Sequence, residues 1–443
     1  MTPPDWLTQG VSLLRPAAKA PGPRSTQERL DATLRQDEEA MSPRMLRQSL
    51  KDLQAIVDPM VSEVEGGRRA QAMMDWYASA SPPHRRDLWL LMSERFVADP
   101  QRVKKAQAQF AAAVGTPDEA AAEVLYRRAT VSPRRRLLQR FSANPDGVRF
   151  LVDIRAELQP LLRSDKRLLA LDVEMEYMFS TWFDVGFLDL RRITWDSPAS
   201  LVEKLIKYEA VHDIRSWADV KNRLDSDRRC YGFFHPRLPE EPLIFVEVAL
   251  MNEIAASITP LLDESAAPAD LGKATTAIFY SISNTQTGLK GVSFGDSLIK
   301  RVVETLKQEF PRLKTFATLS PIPGLRAWLS KNAPADLLKA WERVDELAEN
   351  APERRALLGW AARYLGDELN DGRPLDPVAR FHLGNGARVE RLNWAADPSA
   401  KGLKQSHGLM VNYLYDLKRL DKHRASLAQG KIPIAAAIKD LYL

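Results

Sequence analysis

Residues 274–310, ATTAIFYSIS NTQTGLKG VSFGDSLIKRVVETLKQEF, decide the fold of the second half of this chain. The first ten residues are mostly apolar, with β-branched and aromatic side chains, as in a buried strand. A polar connector follows, and from near Phe294 apolar residues recur at helical spacing. Strand, glycine loop and helix in that order aim backbone N–H groups and a helix's positive end at one spot. Gly288, Gly291 and Gly295 let a bulky anion approach the backbone closely. Within the loop, Gly291-Val-Ser-Phe-Gly295 also matches the G-x-S-x-G of a nucleophile elbow. That elbow needs its serine directly off the strand, and here the strand ends near Ser283. Ser293, Asp397 and His407 do stand in the Ser, Asp, His order of such hydrolases. A triad therefore stays open beside a phosphate-holding loop and a plain strand-to-helix turn. Neither a complete G-x-G-x-x-G nor a G-x-x-x-x-G-K-[ST] is present, so the loop is not a standard dinucleotide or ATP cradle.

Around this stretch, β-rich segments alternate with helical ones from about Asp172 onward: FLDLRRITW, CYGFFH, PLIFVEVALM, KTFATLS and ARVERLNWAA. SPASLVEKLIKYEA and KGLKQSHGLMVNYLYDLKRL read as helices between them. This gives a C-terminal α/β or α+β domain over 172–443. From 25 to 171 the pattern is helical, with start signals at Ser25-Thr-Gln-Glu28, Thr116-Pro117 and Ser132-Pro133. An all-α bundle is expected there, and a Pro-rich disordered leader over 1–24. At 443 residues, length alone suggests two or three domains. The basic run Arg134 to Arg136 reads as a solvated helix face.

Composition narrows the function. Hydrophobic residues make up 45% and charged residues 27%, an ordinary balance for a soluble globular protein. The longest apolar run, PLIFVEVALM, is too short to span a membrane, and the N-terminus lacks a secretory h-region. The single Cys230 excludes an intrachain disulfide and a cysteine-based metal cluster and suits a reducing cytoplasm. No H-E-x-x-H or comparable spacing marks a metal site. Net charge is only +5, which suits a small anionic ligand better than nucleic acid.

Two further residues stand out. Ser320 follows a short strand in KTFATLSPIPGLRAWL, and with Pro321 after it, it reads either as a helix N-cap or as a functional hydroxyl. His382 precedes a Gly-Asn-Gly turn in FHLGNGARVERLNW, while His407 falls on the helix KGLKQSHGLMVNYLYDL.

Taken together, AIFYSISNTQTGLKGVSFGDSLIKRVV, LKTFATLSPIPGLRAWL and FHLGNGARVERLNWAADPSAKGLKQSHGLMVNYLYDL resemble the malonyl-CoA decarboxylase family, in that order along the chain. The resemblance is weaker back through EYMFSTWFDVGFLDLRRITW and RRCYGFFH. It implies a GNAT acetyltransferase-like catalytic domain after an N-terminal helical domain. It puts the CoA-binding segment on Lys290, Gly291, Val292, Ser293, Phe294, Gly295 and Asp296, and the catalytic pair on Ser320 and His382. In that role Ser320 anchors the malonyl carboxylate, and His382 protonates C2 with a pKa near neutrality. Asn393, Asn412 and Tyr415 are possible supporting residues, and Lys290, Lys300 and Arg301 possible contacts for CoA phosphates. Animal members carry Glu and Cys where this chain has Ser293 and His407, so roles for those two do not transfer. The implied reaction turns malonyl-CoA into acetyl-CoA and CO₂ through an enolate, with no metal and no biotin. No nucleic-acid or membrane partner is expected. The protein is expected to be cytoplasmic and to form a homo-oligomer, dimer or tetramer, through the helical domain. Transfer of an acyl group to an amine, as GNAT enzymes do, and a non-catalytic acyl-CoA-binding scaffold remain the alternatives.

Overall fold

The computed structural model describes residues 40–292 and 298–442. The segment 1–24, the start signal at Ser25, and Ser293, Phe294, Gly295 and Asp296 of the expected CoA loop lie outside them. The chain divides into two compact units, Met1–Met175 and Glu176–Leu443.

The described part of the first unit is helical. Ser132 accepts from Arg134 N as the N-cap of the helix Pro133–Ser142, a bond that contributes about 1 kcal/mol. The helix expected from Thr116 begins instead at Glu119. Thr116 Oγ1 donates to Ala113 O at 2.7 Å and accepts from Asp118 N, which holds Thr116 to Asp118 in a turn. Arg134 is no solvated residue either. It is buried, and its guanidinium donates to Met92 O, Ser93 O and Ala170 O, so it meets carbonyls that the helix Pro82–Arg95 leaves unsatisfied at its end.

The second unit is built on a mixed sheet. Strands β1 (Asp189–Ile193), β2 (Arg228–His235), β3 (Leu238–Met251) and β4 (Thr276–Asn284) pair antiparallel in chain order. Then β4 pairs in parallel with β5 (Thr315–Thr318) across the helix Leu298–Glu309. Next come the two-residue strands β6 (Ser320–Pro321), β7 (Leu369–Asn370) and β8 (Arg373–Pro374), then β9 (Arg388–Asn393) and β10 (Met410–Leu414). β10 lies antiparallel to β5, β6 and β9. One parallel seam in an otherwise antiparallel sheet, with β9 and β10 as an antiparallel pair joined through a short helix, is the GNAT-like arrangement. The parallel ladder stops at Phe279↔Thr318, while β4 runs on to Asn284, so the two strands part from Tyr280 onward. A register shift against β3 leaves Tyr280 as the extra residue of a bulge at that point.

The expected long helix over 401–420 is instead a short helix followed by a strand. A helix spans only Ala400–Ser406; His407 at φ 54° and Gly408 at φ 77° end it, and β10 follows. LMVNYLY is buried on both faces, so, apart from Asn412, it reads as a nearly all-apolar run without alternation, a pattern that sequence alone does not separate from a helix.

Candidate active site

The candidate site forms where β4 and β5 part. A cavity of about 480 Å³ opens there, lined by Phe279, Ser281 and Ile282 of β4, by Val292 and Leu298 around the loop, and by Ser320 and His382. Ser320 is not a helix N-cap: Gly324 takes that place for the helix Leu325–Asn332. It sits in β6 instead, with Val411 of β10 opposite it. Its Oγ donates to Thr318 Oγ1 at 2.8 Å and lies 3.2 Å from His382 Nε2.

His382 occupies the last turn of the helix Pro377–Gly384. Asp376 caps that helix, accepting from Val378 N and Ala379 N through one oxygen and from Gly324 N and Tyr364 Oη through the other. After it, Gly386 turns at φ 86°; a Cβ there would come within 2.8 Å of Leu420 O, so only glycine fits the turn that follows His382. The imidazole stacks on Tyr413 with ring centroids 4.7 Å apart, and its Nδ1 lies 2.7 Å from Tyr415 Oη. Because the Ser320 proton goes to Thr318, Ser320 Oγ accepts from Nε2–H. Nδ1 is then bare and accepts from the Tyr415 hydroxyl. Thr318, Ser320, His382 and Tyr415 thus form one hydrogen-bonded chain.

Burial holds His382 neutral, pushing its pKa down to about 3 and overturning the expectation of a value near neutrality. Burial pushes Tyr415 up, so its hydroxyl keeps its proton. Between pH 6.5 and about 3 the unfolded His382 binds a proton that the folded one does not, so stability falls as pH falls through that window. The loss is about 1.4 kcal/mol per pH unit for this residue. Urea unfolding of the wild type should therefore weaken from pH 6.5 to pH 5, and His382→Gln should flatten the slope by one proton's worth; an unchanged slope would contradict a neutral buried imidazole.

Asn412 fixes the strands beneath the pair. Its Nδ2 donates to Thr318 O at 2.7 Å and Ala255 O at 3.0 Å, and its Oδ1 accepts from Asn393 Nδ2 at 2.8 Å and Arg391 Nε at 3.2 Å. Tyr415, Asn393 and Asn412 are therefore joined to the same strands as Ser320. Thr318 and Tyr413 are not among the residues expected from sequence, although Thr318 lies two residues before Ser320, on the same face of an extended chain.

The other expected residues divide. Val292 lines the cavity. Lys290 is exposed at the end of the turn Thr287–Leu289, and Gly291 adopts φ 85°, as a glycine loop requires. Lys300 is exposed, but Arg301 donates to the Val185 and Leu188 carbonyls and so is committed to packing rather than to phosphates. Of the hydrolase triad, Ser293 lies outside the described residues, and Asp397 and His407 are not hydrogen-bonded to each other. Asp397 accepts from Ser399 N, and His407 Nε2 is buried with no hydrogen-bond partner. Among the described residues no group of three or more His, Cys, Asp or Glu side chains is placed to hold a metal ion, and no helix is long and apolar enough to cross a membrane.

Comparison with known proteins bears on the family and the fold. Residues 96–183 match the model of the malonyl-CoA decarboxylase N-terminal domain, and residues 186–443 that of the C-terminal domain. The mitochondrial malonyl-CoA decarboxylase of Mus musculus is 38% identical over 348 residues, 70% of this chain and 71% of that one. The match to the enzyme of Anser anser anser, also 38% identical, spans 65% of each chain, just under two thirds of that protein's length. The crystal structure of malonyl-CoA decarboxylase from Rhodopseudomonas palustris superposes with a TM-score of 0.79 at 41% identity, covering 90% of this chain and all of the other. That from Cupriavidus metallidurans gives 0.72 at 42% identity, with the same coverage. The chain belongs to the malonyl-CoA decarboxylase family.

Proposed function

We propose that this chain converts malonyl-CoA to acetyl-CoA and CO₂ through a thioester enolate, with Ser320 and His382 as catalytic residues. The observation that carries the reading is the chain Thr318–Ser320–His382–Tyr415, ending at a cavity between parting strands. The acyl end lies against Ser320, with its carboxylate turned out of the thioester plane so that the breaking bond overlaps the carbonyl π system. The bond from the carboxylate carbon to C2 breaks, and its electron pair passes into the thioester carbonyl. CO₂ leaves, the enolate takes the Nε2 proton at C2, and a proton from solvent restores the imidazole. The thioester carbonyl is the electron sink, so the route as proposed uses no cofactor.

The neutral state of His382 suits this task. An enolate is basic enough to take a proton from an uncharged imidazole N–H held in place. A neutral pair also leaves the carboxylate without a counter-charge, which keeps the ground state from being stabilised along with the transition state. Tyr415 holds the ring in the tautomer that presents Nε2–H. We place the protein in the cytoplasm and assign assembly of copies to the helical unit, where Val124, Leu125 and Val131 are exposed.

The test is direct. Chelator-treated protein incubated with malonyl-CoA should release acetyl-CoA and CO₂ in equal amounts. Acyl transfer that required an added amine would favour the acyltransferase alternative, and free CoA with malonate would favour hydrolysis.

A further inference from the structure

The cavity's described lining contains one side chain of fixed charge, Arg380, and no carboxylate. Arg380 is exposed on the helix that carries His382, two residues before it. Its Nε donates to Pro374 O at 3.1 Å, which anchors the base of the guanidinium. No other hydrogen bond or ion pair to a described residue engages its terminal nitrogens. Two residues along a helix amount to about 200° of rotation, so Arg380 and His382 leave the helix on nearly opposite sides. The cavity reaches both, because Pro377, Val378, Phe381 and Gly384 line it as well.

A CoA thioester of malonate has anionic groups at both ends, the carboxylate at one and phosphates at the other, with a neutral arm between. Resting on the function proposed above, the carboxylate end belongs to the neutral Ser320 and His382. We propose that Arg380 binds a phosphate group of the CoA moiety. A guanidinium on the reacting carboxylate would stabilise the ground state and slow CO₂ loss. A phosphate contact, remote from the reacting atoms, stabilises ground state and transition state alike and so does not slow CO₂ loss. The planar fork of Arg suits bidentate phosphate binding, and its exposure fits the solvent end of a ligand better than the buried acyl end. Arg301, the other arginine expected at the CoA phosphates, is committed to backbone carbonyls.

Full-length wild type, Arg380→Ala and Arg380→Lys would be assayed for CO₂ release from malonyl-CoA and from malonyl-pantetheine, which has the same acyl end and no phosphate. Arg380→Ala should raise KM for malonyl-CoA about tenfold, the scale of one charge-assisted hydrogen bond. Arg380→Lys should recover part of that loss, and neither change should matter with malonyl-pantetheine. Added salt should raise KM more steeply for the wild type than for Arg380→Ala. An unchanged KM for malonyl-CoA overturns the proposal, and so does an equal loss on both substrates, which would put Arg380 at the acyl end. If the wild type releases no CO₂ at all, the functional reading fails independently. Calorimetric binding of CoA and of pantetheine to the same proteins still decides the phosphate contact in that case, since only CoA binding should weaken in Arg380→Ala.

Discussion

His382→Asn is expected to lower kcat for malonyl-CoA about 10³-fold, the middle of the range for a positioned proton donor. Asparagine retains a donor but has no second ring nitrogen to accept from Tyr415, so it neither presents its N–H in the same place nor recovers a proton. Ser320→Ala removes the acceptor that holds the His382 Nε2–H in place at the acyl end and should cost about 10²–10³-fold. Because the two side chains act on one transition state through one hydrogen bond, the double variant should be little slower than His382→Asn alone. Tyr415→Phe should cost about tenfold by freeing the imidazole tautomer. Rapid-quench measurement of CO₂ release checks all four variants. Full turnover in either single variant at Ser320 or His382 would sink the assignment, and losses that simply multiply would show that the pair is not a unit.

The second large effect is structural. Asn412→Ala should destabilise the protein by about 3–5 kcal/mol in urea unfolding. Asn412 is fully buried and uses its whole hydrogen-bonding capacity on four groups. Truncation leaves the Thr318 carbonyl and the Asn393 amide without the partner Asn412 gives them, at about 1–3 kcal/mol each before relaxation, while Ala255 O keeps Arg391 as a donor. Thr318 also accepts from Ser320, so activity should fall together with stability. A loss below about 1 kcal/mol would mean that water enters to replace the amide.

Much of the fold and of the candidate site is legible in the amino-acid sequence. Strand, glycine loop and helix stand out in 274–310 because each has its own periodicity, and Ser320 and His382 stand out by their motif contexts. What stays hidden is of two kinds. Buried strands lack alternation, so β10 passes for helix. Long-range partners also leave no local trace. Nothing near Arg301 announces that it closes on carbonyls 113 and 116 residues away, nor near Ser320 that His382 comes to it from 62 residues on. The charge state of His382 is illegible for the same reason: burial is a property of the whole packing, not of FHLGNG.

The uncharged dyad has one more consequence. With no cation bonded to Ser320 or His382 among the described residues, the site has little means of preferring the molecule that still carries the carboxylate over the one that has just lost it. On the proposed chemistry, acetyl-CoA competes for the slot on nearly equal terms, so throughput follows the ratio of the two thioesters and slows by itself as the reaction proceeds.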